Sequence, residues 1–205
     1  MVIAVCSDIH GDIRKLEKLA EELDKIGIPP KQTYICGDLV YSGNFDGDKE
    51  CMTLAREKGY ALVSGNHEDH AYHHDAGEFF SYLNALAKVA VSGKALFSHT
   101  IPPISWDYIE TPEMAFGTFE YLSSRYPDTQ VCFIGHTHVP HCFMQSEKSK
   151  NIITQRASRF TLPERTRAII SPGSLKTTRQ FILYDSEKSE IRRLKIPKWN
   201  FTLFR

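Results

Sequence analysis

The 205-residue sequence has no apolar run approaching the roughly 20 residues a helix needs to cross a bilayer, which predicts no helical membrane span. Its N-terminal apolar run, residues 2–6, stops at Ser7-Asp8 and is too short for the hydrophobic region of a secretory leader. Neither charge is in excess. Lysine and arginine total 25, aspartate and glutamate total 25, so no global field draws polymeric nucleic acid or an anionic membrane. A locally basic end (Lys188, Arg192, Arg193, Lys195, Lys198) reads as the solvated face of a strand. There is no C-x-x-C pair among the five cysteines, and Cys6, Cys36 and Cys132 sit within apolar runs where a thiol acts as a small hydrophobe. That usage predicts a reduced, cytoplasmic setting without disulfides. No linker, repeat or low-complexity stretch divides the chain, so residues 1–205 are expected to form a single domain.

What is present is a regular alternation of elements. An apolar strand over 2–6 leads into a helix with Asp12 as N-cap and Ile13, Leu16, Leu19, Leu23 and Ile26 on one face; Gly27 and Pro29-Pro30 end it. A strand follows at 33–36, a helix over 48–58, a strand at 60–63 and a helical stretch over roughly 68–87. Lys88–Phe97 reads as a hairpin around Ser92-Gly93. Thr111-Pro112-Glu113 places N-cap, N1 proline and first-turn acid in order and starts a helix to Tyr126. After a strand at 131–134, residues 143–145, 152–155, 168–171, 180–184 and 190–196 read as strands separated by turns. A β-α start and an all-β end predict an α/β (α+β) fold of two packed sheets with helices outside.

Five of the apolar runs end on a group able to bind metal. Residues 2–6 precede Asp8-x-His10, residues 33–36 precede Gly37-Asp38, and residues 60–63 precede Gly65-Asn66-His67. Residues 94–97 precede His99, and residues 131–134 precede Gly135-His136-Thr137-His138. Sheets of α/β proteins gather strand carboxyl ends at one crevice, so these residues predict a polynuclear metal site. Carboxylate, imidazole and amide donors suit manganese, iron, zinc, cobalt or nickel better than calcium, and the lack of thiolates argues against a structural zinc. Two neighbouring cations need an anionic bridge, for which Asp38 is the natural candidate. Such a pair, about 3.5–4 Å apart, acidifies water and clamps both oxygens of an in-line displacement at phosphorus.

The chain resembles the calcineurin-like metallophosphoesterases, whose blocks are D-x-H, G-D, G-N-H, a lone H and G-H-x-H. All five occur in order between Asp8 and His138, and Ser171-Pro172-Gly173-Ser174-Leu175 is similar to a P-G-S segment of the small bacterial and archaeal phosphodiesterase-like members. The resemblance implies a two-sheet β-sandwich flanked by helices and two divalent ions, manganese first, with iron, zinc, nickel or cobalt as alternatives. Asp8, His10 and His138 would hold one ion, Asn66, His99 and His136 the other, with Asp38 bridging. His67 would face the substrate as general acid while a bridging hydroxide attacks in line. The implied activity is hydrolysis of a small phosphate ester, a diester or nucleotide ahead of a monoester or phosphoprotein. A non-catalytic scaffold on the same fold is the alternative of another class. Sequence alone sets no oligomeric state.

One departure bears on mechanism. Many members continue as G-D-x-x-D-R-G, where the second aspartate orients the catalytic histidine and the arginine binds phosphate; here Tyr41 and Ser42 take those places. Glu68 or Asp69 could substitute in orienting His67, and Arg14 or Arg179 could supply a guanidinium. Other suggestive groupings read as ordinary surface. His67-Glu68-Asp69-His70 has alanine where H-E-x-x-H needs histidine, so His70, His73 and His74 are expected to be exposed helix or loop residues. Asn44, Asp46 and Asp48 mimic the start of a calcium loop but lack its terminal glutamate, and His141 reads as surface.

Overall fold

Two six-stranded mixed sheets form the fold in the computed structural model, which describes residues 1–41, 45–70, 78–101 and 108–198. The first sheet runs in the order β3 (Ala61–Val63), β2 (Thr33–Cys36), β1 (Val2–Cys6), β11 (Gln180–Asp185), β12 (Glu190–Lys195), β9 (Arg159–Thr161). The second runs β4 (Val89–Ser92), β5 (Ala95–Ser98), β6 (Val131–Ile134), β10 (Thr166–Ser171), β7 (His141–Ser146), β8 (Ile152–Thr154). β1, β2 and β3 are mutually parallel, as are β5, β6 and β10, which brings each set's carboxyl ends to one edge.

Alternation along the strands creates the layers. Ile3, Val5, Cys36 and Ile182 of the first sheet meet Phe97, Val131, Phe133 and Ile170 of the second, forming the core between them. The opposite residues of the first sheet, Ala4, Cys6, Ile35 and Leu183, pack on helices α1 (Ile13–Lys25) and α2 (Phe45–Lys58) through Leu16, Leu19, Leu23 and Met52. Leu96, Cys132 and Ile169 of the second sheet pack on α5 (Pro112–Arg125) through Ala115, Phe119 and Leu122. The result is the expected sandwich with helices outside.

Local chemistry set the helix starts as anticipated: the Asp12 carboxylate accepts from the Lys15 N–H and the Thr111 hydroxyl from the Met114 N–H. The differences lie elsewhere. α2 begins at Phe45, and the stretch expected over 68–87 contains α3 (Asn66–His70) and α4 (Glu78–Asn84). Ser42, Asn44, His73 and His74 lie outside the described residues. β9 was not anticipated; it is a short edge strand that among the described residues pairs with β12 alone. His70 is exposed as expected, whereas His141 is buried in β7, where desolvation lowers its pKa to about 4. Arg193 is half-buried rather than fully solvated. All five cysteines are free and buried. Among the described residues no helix is long and apolar enough to cross a membrane.

Candidate metal centre

The loops leaving β1, β2, β3, β5 and β6 carry the predicted residues, and the backbone turns sharply to present them. Asp8, His10, Asp38, His136 and His138 all have positive φ, between 47° and 70°. A non-glycine residue seldom adopts this left-handed conformation, which costs on the order of 1–3 kcal/mol, so five together make this edge the candidate site. Backbone bonds hold the turns: the Asp8 N–H donates to the Gly37 carbonyl, and the Ile9 and His10 N–H groups both donate to the Asp38 carbonyl. The P-G-S segment braces the same place. Ser174 Oγ donates to the Asp8 carbonyl at 2.8 Å, while the Leu175 and Lys176 N–H groups donate to the carbonyls of Ser7 and Asp8.

Two groups of donors converge. Asp8, His10, Asp38 and His138 can each offer one atom within 4.8 Å of the others, and so can Asp38, His99 and His136. Asp38 belongs to both. Its Oδ2 lies 3.2 Å from His99 Nε2 and 3.8 Å from His10 Nε2, and His138 Nε2 lies 3.2 Å from Asp8 Oδ1. Asn66 Oδ1 is 3.0 Å from His99 Nε2. His67 belongs to neither group but borders them, its Nε2 at 3.9 Å from Asp38 Oδ2 and its N–H donating to Asp38 Oδ1 at 3.1 Å. All the predicted site residues therefore meet at one edge.

The donor set fits divalent metal ions. Asp8 Oδ2 and His10 Nδ1 are buried with no hydrogen-bond partner among the described residues, and the Nε2 atoms of His10 and His138 approach to 2.9 Å. Two imidazole nitrogens and two carboxylates facing one small volume are the arrangement a cation stabilises. His99 is fixed from behind, its Nδ1 2.8 Å from the Cys36 carbonyl, which leaves Nε2 directed into the cluster. Burial favours the neutral form of His10, lowering its pKa to about 4, and it also lowers those of His67 and His136. Burial opposes the charged form of His99 too, but its hydrogen bond to Asp38 and the Asp38 charge raise its pKa to about 9. The bond to Asp8 raises that of His138. Neutral imidazoles offer lone pairs without first losing a proton.

Glu68 is the residue that sequence reasoning misplaced. Its carboxylate accepts from the N–H groups of Asp38, Val40 and Gly65 at 2.9, 3.0 and 2.7 Å, clipping the β2 and β3 loops together. Asp69 pairs with Lys88 and Ser64 instead. Neither carboxylate reaches the His67 Nδ1, which is buried without a partner among the described residues. Arg14 is exposed on the first turn of α1.

Glycine is required where the two sheets' loops touch. A Cβ on Gly135 would strike Ser7 Oγ and lie 2.5 Å from the Cys36 carbonyl and 2.8 Å from His99 Nδ1. Backbone and a fixed imidazole cannot yield, so Gly135→Ala should cost about 2–3 kcal/mol of stability and displace His99. Thermal denaturation with metal analysis checks this; a variant that melts like the wild type and retains its metal would refute the close approach.

The sequence profile of the calcineurin-like phosphoesterases matches residues 1–110. No curated protein matches the chain significantly. Among solved structures, a metallophosphoesterase from Sphaerobacter thermophilus shares 21% identity and a TM-score of 0.73, covering 96% of this chain and 90% of that one. A hypothetical protein from Pyrococcus horikoshii shares 16% identity and a TM-score of 0.64, covering 95% and 87%. At these identities both likenesses speak to the fold, which agrees with the sandwich described above. With more than half its length matched and that fold in place, the chain belongs to the calcineurin-like phosphoesterase family.

Proposed function

We propose that the protein is a dinuclear metal-dependent phosphoesterase that hydrolyses a small phosphodiester or nucleotide-type substrate. The observation that carries this reading is the sharing of Asp38 between two donor groups, with His67 just outside both. Asp8, His10 and His138 would hold one ion and Asn66, His99 and His136 the other, with Asp38 shared between them. Carboxylate and imidazole donors without a thiolate suit manganese, iron, zinc, nickel or cobalt, and the family resemblance puts manganese first. When bound, two such ions supply Lewis acidity toward phosphoryl oxygens and a nucleophile at neutral pH.

The chain's own residues supply the rest. Asp38 and Asp8 give the site its negative charge, and the His99–Cys36 bond keeps one imidazole in the correct orientation. His67, half-buried and outside both donor groups, is placed to donate a proton through Nε2 to the leaving ester oxygen, an effect worth roughly 10²–10⁴-fold in rate. Burial lowers its pKa, and the Asp38 charge and a bound anionic ester favour the protonated form it needs. Ser42 stands where an arginine would meet a dianionic monoester, which favours a monoanionic diester. Five free, buried thiols fit a reducing compartment, and we place the protein in the cytoplasm.

Manganese-supplemented hydrolysis of bis(p-nitrophenyl) phosphate beside p-nitrophenyl phosphate tests the reading. We expect the diester to be turned over with the higher kcat/KM. A monoester preference would reverse the substrate assignment. No turnover of either, with two ions bound, would leave a highly selective enzyme or a scaffold, and no turnover with metal held weakly or not at all would favour the scaffold alternative.

A further inference from the structure

The His67 ring is held by aromatic faces. Tyr41 stacks on it with ring centroids 5.3 Å apart and planes 23° from parallel, and the His10 ring meets it edge-on at 4.6 Å. Both distances fall in the range of favourable aromatic pairs. Tyr41 is itself fixed. Its N–H donates to the Asp48 carboxylate in α2, and its ring lies edge-on to His10 at 5.7 Å. The Lys176 ammonium sits 4.7 Å from the Tyr41 ring centroid and donates to the His10 carbonyl at 3.3 Å. The Lys176 N–H donates to the Asp8 carbonyl at 3.2 Å, so the base of this side chain is anchored in the loop that carries Asp8 and His10. The Lys176 charge acts both on the Tyr41 ring and on the Asp48 carboxylate that accepts from the Tyr41 N–H, so one cation serves both sides of the tyrosine.

From this arrangement we propose that Tyr41 is a positioning residue for His67, with Lys176 clamping the tyrosine in place. The stack sets the plane of the imidazole that a hydrogen bond to Nδ1 would otherwise set. It rests on the assignment of His67 as proton donor made above. A stacked ring acts through shape and its π face, so a phenyl ring performs the same task and the tyrosine hydroxyl is dispensable. An aliphatic side chain of similar size fills the space but leaves the imidazole free to rotate. Loss of orientation affects proton donation, so it weighs on esters whose leaving group needs a proton. Diphenyl phosphate, which releases phenol, depends on that donation more than bis(p-nitrophenyl) phosphate, which releases a stable phenolate.

The test uses the full chain with Tyr41→Leu and Tyr41→Phe. In the metal-free protein, carbon–proton spectra of the histidine rings, with His67 assigned through His67→Ala, read the stack directly. Tyr41→Leu should move the His67 ring protons downfield as the ring current is lost, while Tyr41→Phe leaves them near their wild-type positions. In the manganese-loaded enzyme, Tyr41→Leu should lower kcat for diphenyl phosphate about tenfold, with KM and bis(p-nitrophenyl) phosphate turnover nearly unchanged, and Tyr41→Phe should restore it. An unchanged His67 spectrum in Tyr41→Leu, a phenylalanine variant as impaired as leucine, or equal losses on both esters with a raised KM would each overturn the proposal. Wild-type protein inactive on both esters would refute the phosphodiesterase reading instead, and the ring-current shift would still decide whether Tyr41 holds His67.

Discussion

Replacing Asp38 with asparagine should reduce bound manganese from two ions to one or none and lower turnover by more than about 100-fold. Residues that merely support a metal ligand cost about 10–100-fold when lost, and Asp38 is the carboxylate common to both donor groups. It is 1% exposed, and its Oδ2 faces His99 at 3.2 Å. An amide there presents either a neutral oxygen or an N–H₂ toward groups arranged around a negative charge. The fold should tolerate the change, because the Asp38 N–H is held by Glu68 and its carbonyl accepts from Ile9 and His10, and neither role uses the side chain. Metal content by mass spectrometry after manganese loading, measured beside diester turnover, checks both parts. A variant that keeps two ions and half its activity would place the centre elsewhere.

The chain announces this centre because each donor follows directly on a buried strand. Strand ends in a parallel arrangement converge through topology alone, so Asp8, Asp38, Asn66, His99 and His136 could be grouped before any distance was known. The sandwich was legible for a related reason: a helix N-cap such as Asp12 or Thr111 and a run such as Val2–Cys6 act through neighbours a few residues away. β9 escaped because Arg159-Phe160-Thr161 has a single apolar residue and gains its pairing from β12, thirty positions along the chain. The left-handed backbone at Asp8, His10, Asp38, His136 and His138 also escaped, since none of these is glycine and the surrounding bonds impose the conformation. The partner of His67 was sought among its sequence neighbours Glu68 and Asp69. Tyr41, which takes the motif place of the orienting aspartate, stacks on the ring instead, and it is this ring contact in place of a hydrogen bond that only tertiary packing reveals.

Glu68 itself carries the other large effect, on stability. Glu68→Ala should lower the unfolding free energy by about 3–5 kcal/mol, because it leaves the Asp38, Val40 and Gly65 N–H groups without their acceptor at a position only 2% exposed. At this chain length that corresponds to a melting temperature lower by roughly 10 °C. Burial first, and then the charge of Asp38, raise the Glu68 pKa to about 7, although its backbone bonds to Val40 and Gly65 pull the other way. A carboxylate is nonetheless suited to the place, since its two acceptor oxygens serve three donors from two loops that are far apart in sequence. Glu68→Gln keeps one acceptor oxygen but turns an N–H₂ toward a donor, so it should fall between the wild type and alanine. Loosening the clip frees Asp38 from Asn66 and His67 at once, and metal retention should drop together with the melting temperature. Thermal denaturation of both variants, with and without manganese, measures this. Alanine and wild-type proteins melting together would mean that the backbone bonds of Glu68 contribute little to holding the two loops. The ordering wild type, glutamine, alanine in both stability and metal content would identify the residue after His67 as the one that holds the metal-bearing loops in register.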